Sequence, residues 1–131
     1  MTELSEPAEL TGMAIEIGIK RGNWGAGKSS VSLDIESKHC NKGGAAHGGL
    51  YTMMLDMALG GALVSILPKH EWCATTQLSV SFISAARPGE KITANGNVVK
   101  RGKNVAHLDG EIITDTGRVI STANGTWAIW D

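Results

Sequence analysis

The sequence has few of the residues that staple or rigidify small proteins: 2 cysteines and 3 prolines in 131 residues. Cys40 and Cys73 stand alone without CxxC spacing, so neither a disulfide framework nor a cysteine-based metal site is supported. His39, His70 and His107 have no partners at metal-ligand spacing, and His70-x2-Cys73 is too thin for zinc. Charge of one sign is also lacking. Twelve Lys and Arg against thirteen Asp and Glu give a net charge of -1, which argues against nucleic acid or an acidic membrane surface as partner. There is no GxSxG elbow of a serine hydrolase. No signal-peptide pattern, internal repeat, low-complexity segment or linker is seen, so free thiols, a cytoplasmic location and a single domain are expected. Glycine alone is in excess, 17 residues against roughly 7 per cent in average usage, which predicts many turns or close backbone approaches.

One long apolar run is present. Leu50–Leu67 reads LYTMMLDMALGGALVSIL, with Asp56 as its only charge. The length suits a membrane span, but a carboxylate and the Gly60-Gly61 pair interrupt it and no second such run follows. It is better read as one helix, apolar all round, buried on every side and stopped by Pro68. Burying a carboxylate costs several kcal/mol unless it is compensated, so Asp56 asks for a reason.

Taken in order, residues 1–12 read as a flexible lead-in and 13–131 as the domain. Met13–Lys20 alternates in part and is read as a strand, as is Val31–Glu36. Between them, Gly22–Ser29 satisfies the nucleotide-binding pattern GxxxxGK[ST] in full. That site needs a helix starting at the Lys-Ser end, whereas SSVSLDIES has a strand's period of two, so a glycine-rich hairpin is the better reading. Ser37–Ala46 is a loop by composition. After the helix come Leu78–Phe82, Lys91–Lys100, Val105–Thr114 and Arg118–Trp130, read as a four-strand meander. An antiparallel sheet must curve to cover such a helix, and one helix face calls for a second copy of the chain.

The arrangement Asn41-x5-His47-Gly48-Gly49-x6-Asp56, followed by Thr75-Thr76 and the stretch Leu78–Thr126, resembles the hotdog-fold acyl-CoA thioesterases of the phenylacetic-acid-degradation (PaaI-like) type, within the 4-hydroxybenzoyl-CoA thioesterase superfamily. The likeness covers about residues 13–127. It implies an α+β chain in which a curved antiparallel sheet wraps around one long central helix. It also implies hydrolysis of a medium-chain or aryl-acetyl CoA thioester to free acid and CoA. In that reading Asp56 is general base or nucleophile, Gly48 N–H and Asn41 polarise the carbonyl, and Thr75 places the water or the carboxylate. His47, Gly49, Met53, Gly60 and Thr76 line the substrate site, and Arg101 and Lys103 meet the CoA phosphates. No metal or cofactor is implied, since CoA belongs to the substrate. Two departures from the family pattern stand out. Ala85-Ala86 replaces a proline-containing turn, and Gly60 replaces a hydroxyl residue of relatives that act on hydroxybenzoyl thioesters.

Helix geometry sharpens the reading. Gly48 and Asp56 are eight residues apart, about 12 Å along a helix. They cannot both touch one carbonyl, so each site needs Gly48 and Asn41 from one subunit and Asp56 and Thr75 from another. A homodimer at least, and a dimer of dimers, is expected. The rivals are a non-catalytic acyl-CoA-binding hotdog protein, a hotdog dehydratase or hydratase, and a nucleotide binder.

Overall fold

The helix α2 (Gly48–Val64) is the spine, and in the computed structural model, which describes residues 3–131, one antiparallel sheet curves around it. The remaining elements are α1 (Met13–Ile17), β1 (Lys20–Gly25), β2 (Lys28–Asp34), β3 (Trp72–Phe82), β4 (Lys91–Arg101), β5 (Val105–Thr114) and β6 (Val119–Trp130). Met1 and Thr2, the start of the expected lead-in, lie outside the described residues. Beyond them the chain is tied to the turn after α2, Ser5 N–H donating to Leu67 O at 2.8 Å and Lys69 N–H to Glu3 O at 2.9 Å.

The expected α+β architecture is present, with three corrections. Met13–Lys20 is not a strand: Met13–Ile17 forms one helical turn, closed by Gly18 at φ 98°, and β1 starts only at Lys20. A single turn buries Ala14 and leaves Met13 and Ile15 exposed, so its partial alternation imitates a strand. The strands after α2 are not a four-strand meander. Sheet order is β1-β2-β4-β5-β6-β3, so β4, β5 and β6 form the meander while β3 sits at the far edge beside β6. The eight-residue connection 83–90 makes this crossing possible, where a tight turn would have forced β3 against β4. Finally, α2 is not buried on every side.

Leu50, Tyr51, Met54, Leu55, Ala58, Leu59, Ala62 and Leu63 fall on one stripe and meet the concave face of the sheet. Full burial of each large side chain contributes roughly 1.5–3 kcal/mol. The opposite face, with Gly49, Met53, Asp56, Met57, Gly60 and Val64, is only partly covered in the single chain. The sheet wraps one side of the helix and leaves the other partly open.

Glycine brings helix and sheet together. A Cβ on Gly96 would stand 2.3 Å from the Ala58 carbonyl oxygen, so only glycine lets α2 lie this close to β4. The GxxxxGKS stretch is a hairpin: Gly25 pairs with Lys28 across the two-residue turn Ala26-Gly27, with φ 54° and 81°. No helix begins after Ser29, because Lys28–Asp34 is β2. The tip of this hairpin instead meets the end of the central helix. Ser65 Oγ donates to Ala62 O at 2.7 Å and accepts the Gly27 N–H at 2.8 Å. The helix ends at Val64, the residue whose carbonyl the ring of Pro68 would meet in a continued helix.

Candidate active site

Asp56 emerges from the uncovered face of α2, and the neighbouring edge strand supplies its partner. Thr75 Oγ1 donates to Asp56 Oδ1 at 2.6 Å. This contact depends on a bulge. Thr75 pairs with Trp127 and Gln77 with Thr126, which leaves Thr76 as the extra residue. A bulge re-aims side chains, and here the two threonines diverge. Thr75 turns to the helix, whereas the Thr76 hydroxyl lies 3.0 Å from Thr126 O and 2.9 Å from Thr126 Oγ1. One carboxylate oxygen is thus occupied by a hydroxyl donor, and Asp56 is exposed in the single chain.

The other predicted group lies at the start of the helix. Gly48 is the first residue of α2, so its N–H has no acceptor within the helix and sits at the positive end of the dipole. Its Cα nestles against Phe82, since a Cβ there would lie 3.0 Å from the ring. The preceding loop is internally braced. Asn41 Oδ1 accepts the N–H groups of Gly43 at 3.0 Å and Ala45 at 3.3 Å. The Asn41 amide nitrogen is thereby oriented as the free donor of that side chain. His39 is buried; its Nδ1 accepts the Glu36 N–H at 2.9 Å and its Nε2 lies 2.7 Å from Ile17 O, which makes Nε2 the protonated nitrogen. His39 O in turn accepts the His47 N–H at 3.0 Å. His47 holds the loop through its backbone, and with Gly49 and Met53 it lines a cleft of about 330 Å³.

Two groups of site residues are therefore formed in one chain, Asp56 with Thr75 and Gly48 with the Asn41 loop. Eight residues of continuous helix separate them. Met53 and Gly60 lie on the uncovered face between and beyond them.

The expected phosphate cations are separated as well. Arg101 Nη2 lies 2.8 Å from both carboxylate oxygens of Glu71, and this pair is largely buried. Lys103 is exposed at the β4–β5 turn, where it lines a cleft of about 330 Å³ with Lys100, Asn104 and His107. A larger concavity, about 590 Å³, lies elsewhere, lined by Lys28, Asn95, Asn97, Asp109 and Glu111. Those polar residues alternate along the strands with the ones that meet α2, so this concavity is on the far side of the sheet from Asp56.

Cys73, two residues before Thr75, is half-buried; burial raises its thiol pKa above the ordinary value and disfavours the thiolate. Among the described residues no cluster of three or more His, Cys, Asp or Glu could hold a metal, and no helix is long and apolar enough to cross a membrane.

Two residues near the site were not legible in the sequence. Glu71 neutralises Arg101 across 30 residues, and Trp127 lies beneath Gly60. The bulge and the strand order that place them are long-range features, and no local pattern announces them.

Comparison with known proteins agrees with this fold. Residues 43–121 match the family model described as thioesterase superfamily. The candidate esterase PA0474 of Pseudomonas aeruginosa is 32% identical over 97 residues, spanning 74% of this chain and 72% of its own. Human acyl-coenzyme A thioesterase 13 is 27% identical over 101 residues, 76% of this chain and 71% of its own. Among solved structures, the PaaI protein of the E. coli phenylacetic acid degradation operon superposes with a TM-score of 0.82 at 20% identity, covering 90% of this chain and 83% of that one. A hypothetical thioesterase from Streptococcus pneumoniae, solved with coenzyme A, gives 0.82 at 23% identity over 89% and 91%. With a curved six-stranded sheet around one long helix and a family match over residues 43–121, the chain has the hotdog fold and belongs to the thioesterase superfamily.

Proposed function

We propose that the chain hydrolyses an acyl-CoA thioester, medium-chain or aryl-acetyl, to the free acid and CoA, at sites shared between two copies. The observation that carries this reading is the Asp56–Thr75 pair, 2.6 Å apart on the uncovered face of α2 beside a free strand edge. A binding pocket gains little from such an acid, whereas thioester hydrolysis needs one.

The division of labour follows from charge development. As the carbonyl carbon is attacked, negative charge builds on its oxygen, and the Gly48 N–H and the Asn41 amide would donate to it. The Thr75 hydroxyl holds Oδ1 of Asp56, which leaves Oδ2 to act on the carbon. It either takes a proton from an attacking water or attacks directly, forming an anhydride that water then opens. Collapse expels the CoA thiolate. The exposed Lys103 is the cation at the β4–β5 turn free to meet CoA phosphates, since Arg101 is committed to Glu71.

The partner arrangement is supported by β3. This 11-residue edge strand carries unpaired backbone groups along one side and exposed Trp72 and Phe82 at its ends. Antiparallel pairing with its own copy about the strand's middle would set the Phe82 end of one chain, where Gly48 lies, against the Thr75 end of the other. Gly48 and Asp56 would then meet across the interface, as their 12 Å separation requires (about 1.5 Å per residue).

Thiol release from a panel of acyl-CoAs tests the proposal. The wild type is expected to turn over at least one, and Asp56→Asn to lose roughly 10²–10⁴-fold in rate. Full rate in Asp56→Asn would sink the mechanism. Tight acyl-CoA binding without turnover by the wild type would mark a binding protein instead.

A further inference from the structure

Trp127 has no part in the chemistry above, yet it lies under it. It is the register partner of Thr75 and is 2% exposed, packed beneath α2. Its ring nitrogen reaches toward the helix at Gly60: a Cβ on Gly60 would lie 3.6 Å from Nε1. The side-chain hydrogen bonds joining α2, β3 and β6 involve Asp56, Thr75, Thr76, Ser121 and Thr126. The indole N–H of Trp127 donates to none of them. An indole N–H ordinarily finds an acceptor when its ring is buried, and here Gly60, without a side chain, lies over Nε1 on the partly covered face of α2.

Gly60 lies one turn beyond Asp56, and side chains four apart on a helix are about 5–6 Å from each other. The glycine that lies over the indole is therefore one helical turn from the acid, within reach of the acyl group of a thioester held there. An oxygen on the third carbon of an acyl chain lies roughly 3–4 Å from the carbonyl carbon by standard bond lengths, and a hydrogen bond adds about 2.9 Å, a reach comparable to one helical turn of about 5.4 Å. We propose that the Trp127 N–H, reached past Gly60, donates to an oxygen at or near the third carbon of the acyl group, so that the preferred substrates are acyl-CoAs bearing a hydroxyl or keto oxygen there. The inference rests on the acyl-CoA reading and narrows it. The same opening accounts for glycine at position 60: a methyl 3.6 Å from Nε1 would occupy the place the acceptor needs.

The test is a ratio within each protein, which active fraction and small changes of fold do not move. Dissociation constants for 3-hydroxybutyryl-CoA and butyryl-CoA are measured by calorimetry on Asp56→Asn protein, with and without Trp127→Phe or Gly60→Ala. The parent is expected to hold the hydroxylated ligand about 3- to 10-fold tighter, and each added substitution to bring the ratio near one. Gly60→Ala favours the helix, so it carries the test if Trp127→Phe does not fold. Equal affinities in the parent, or a preference that survives both substitutions, overturns the inference. Thiol release by the wild type reports separately. Turnover without the preference removes this inference alone, whereas the preference without turnover removes the hydrolase reading and keeps the pocket.

Discussion

At the scale of single residues, the same side-chain chemistry is put to different uses by its neighbours. Asp56, the only charge on the central helix, is held by one threonine hydroxyl and left open to a partner or substrate. Glu90 is the opposite case. It lies below the ordinary carboxylate range, first because Arg118 donates to it and second because the Arg87 N–H does, at 2.9 Å. A depressed carboxylate contributes stability above its unfolded value and loses it as pH falls through the folded one. The Glu90→Gln variant should therefore melt slightly below wild type at pH 7, by about 1 kcal/mol at most given the exposure of the pair. The gap should close as pH drops below about 4; thermal melts across that range check it, and a gap that widens in acid would reverse the assignment. Lys103 and Arg101, alike in charge, divide by burial and partner. Lys103→Ala should raise the Michaelis constant several-fold with little change in turnover. An unchanged constant would remove Lys103 from phosphate binding.

At the scale of elements, backbone shape decides more than side-chain preference. The bulge at Thr76 determines which of two adjacent threonines faces Asp56, and Gly96 determines how closely α2 lies on β4. With a Cβ 2.3 Å from a backbone carbonyl that cannot give way, Gly96→Ala should destabilise the fold by roughly 2–3 kcal/mol. A urea midpoint unchanged from wild type would contradict this. The GxxxxGKS stretch carries the same lesson for motifs. Its residues match a phosphate loop, but the period of two in the residues after it already predicts a strand, and β2 is one. The meander expectation failed for the converse reason. Each strand was legible by its own alternation, but the neighbour of β3 depends on a connection whose path no periodicity specifies.

At the scale of the molecule, one chain carries two separate groups of candidate site residues, Asp56 with Thr75 and Gly48 with the Asn41 loop. If Gly48 and Asn41 serve the Asp56 of another subunit, two inactive variants should rescue each other. Refolding Asp56→Asn together with Asn41→Ala at equal amounts gives half heterodimers, each with one intact site, so about a quarter of wild-type activity should return. Failure to recover any activity, with heterodimers shown by mass spectrometry, would place the whole site within one chain.

What the sequence by itself determined is local and periodic. It marked the helix by an eighteen-residue apolar run, the helix start by His47-Gly48-Gly49, most strands by their alternation, and the acid by being the run's only charge. The 1.5 Å rise per residue then separates Gly48 from Asp56 along the helix. The tertiary structure decided what depends on long-range register: β3 at the edge, Thr75 rather than Thr76 against the acid, Glu71 on Arg101, and Trp127 beneath Gly60. Periodicity specifies which face of an element is buried, but pairing across the sheet is chosen by the packing of the whole core.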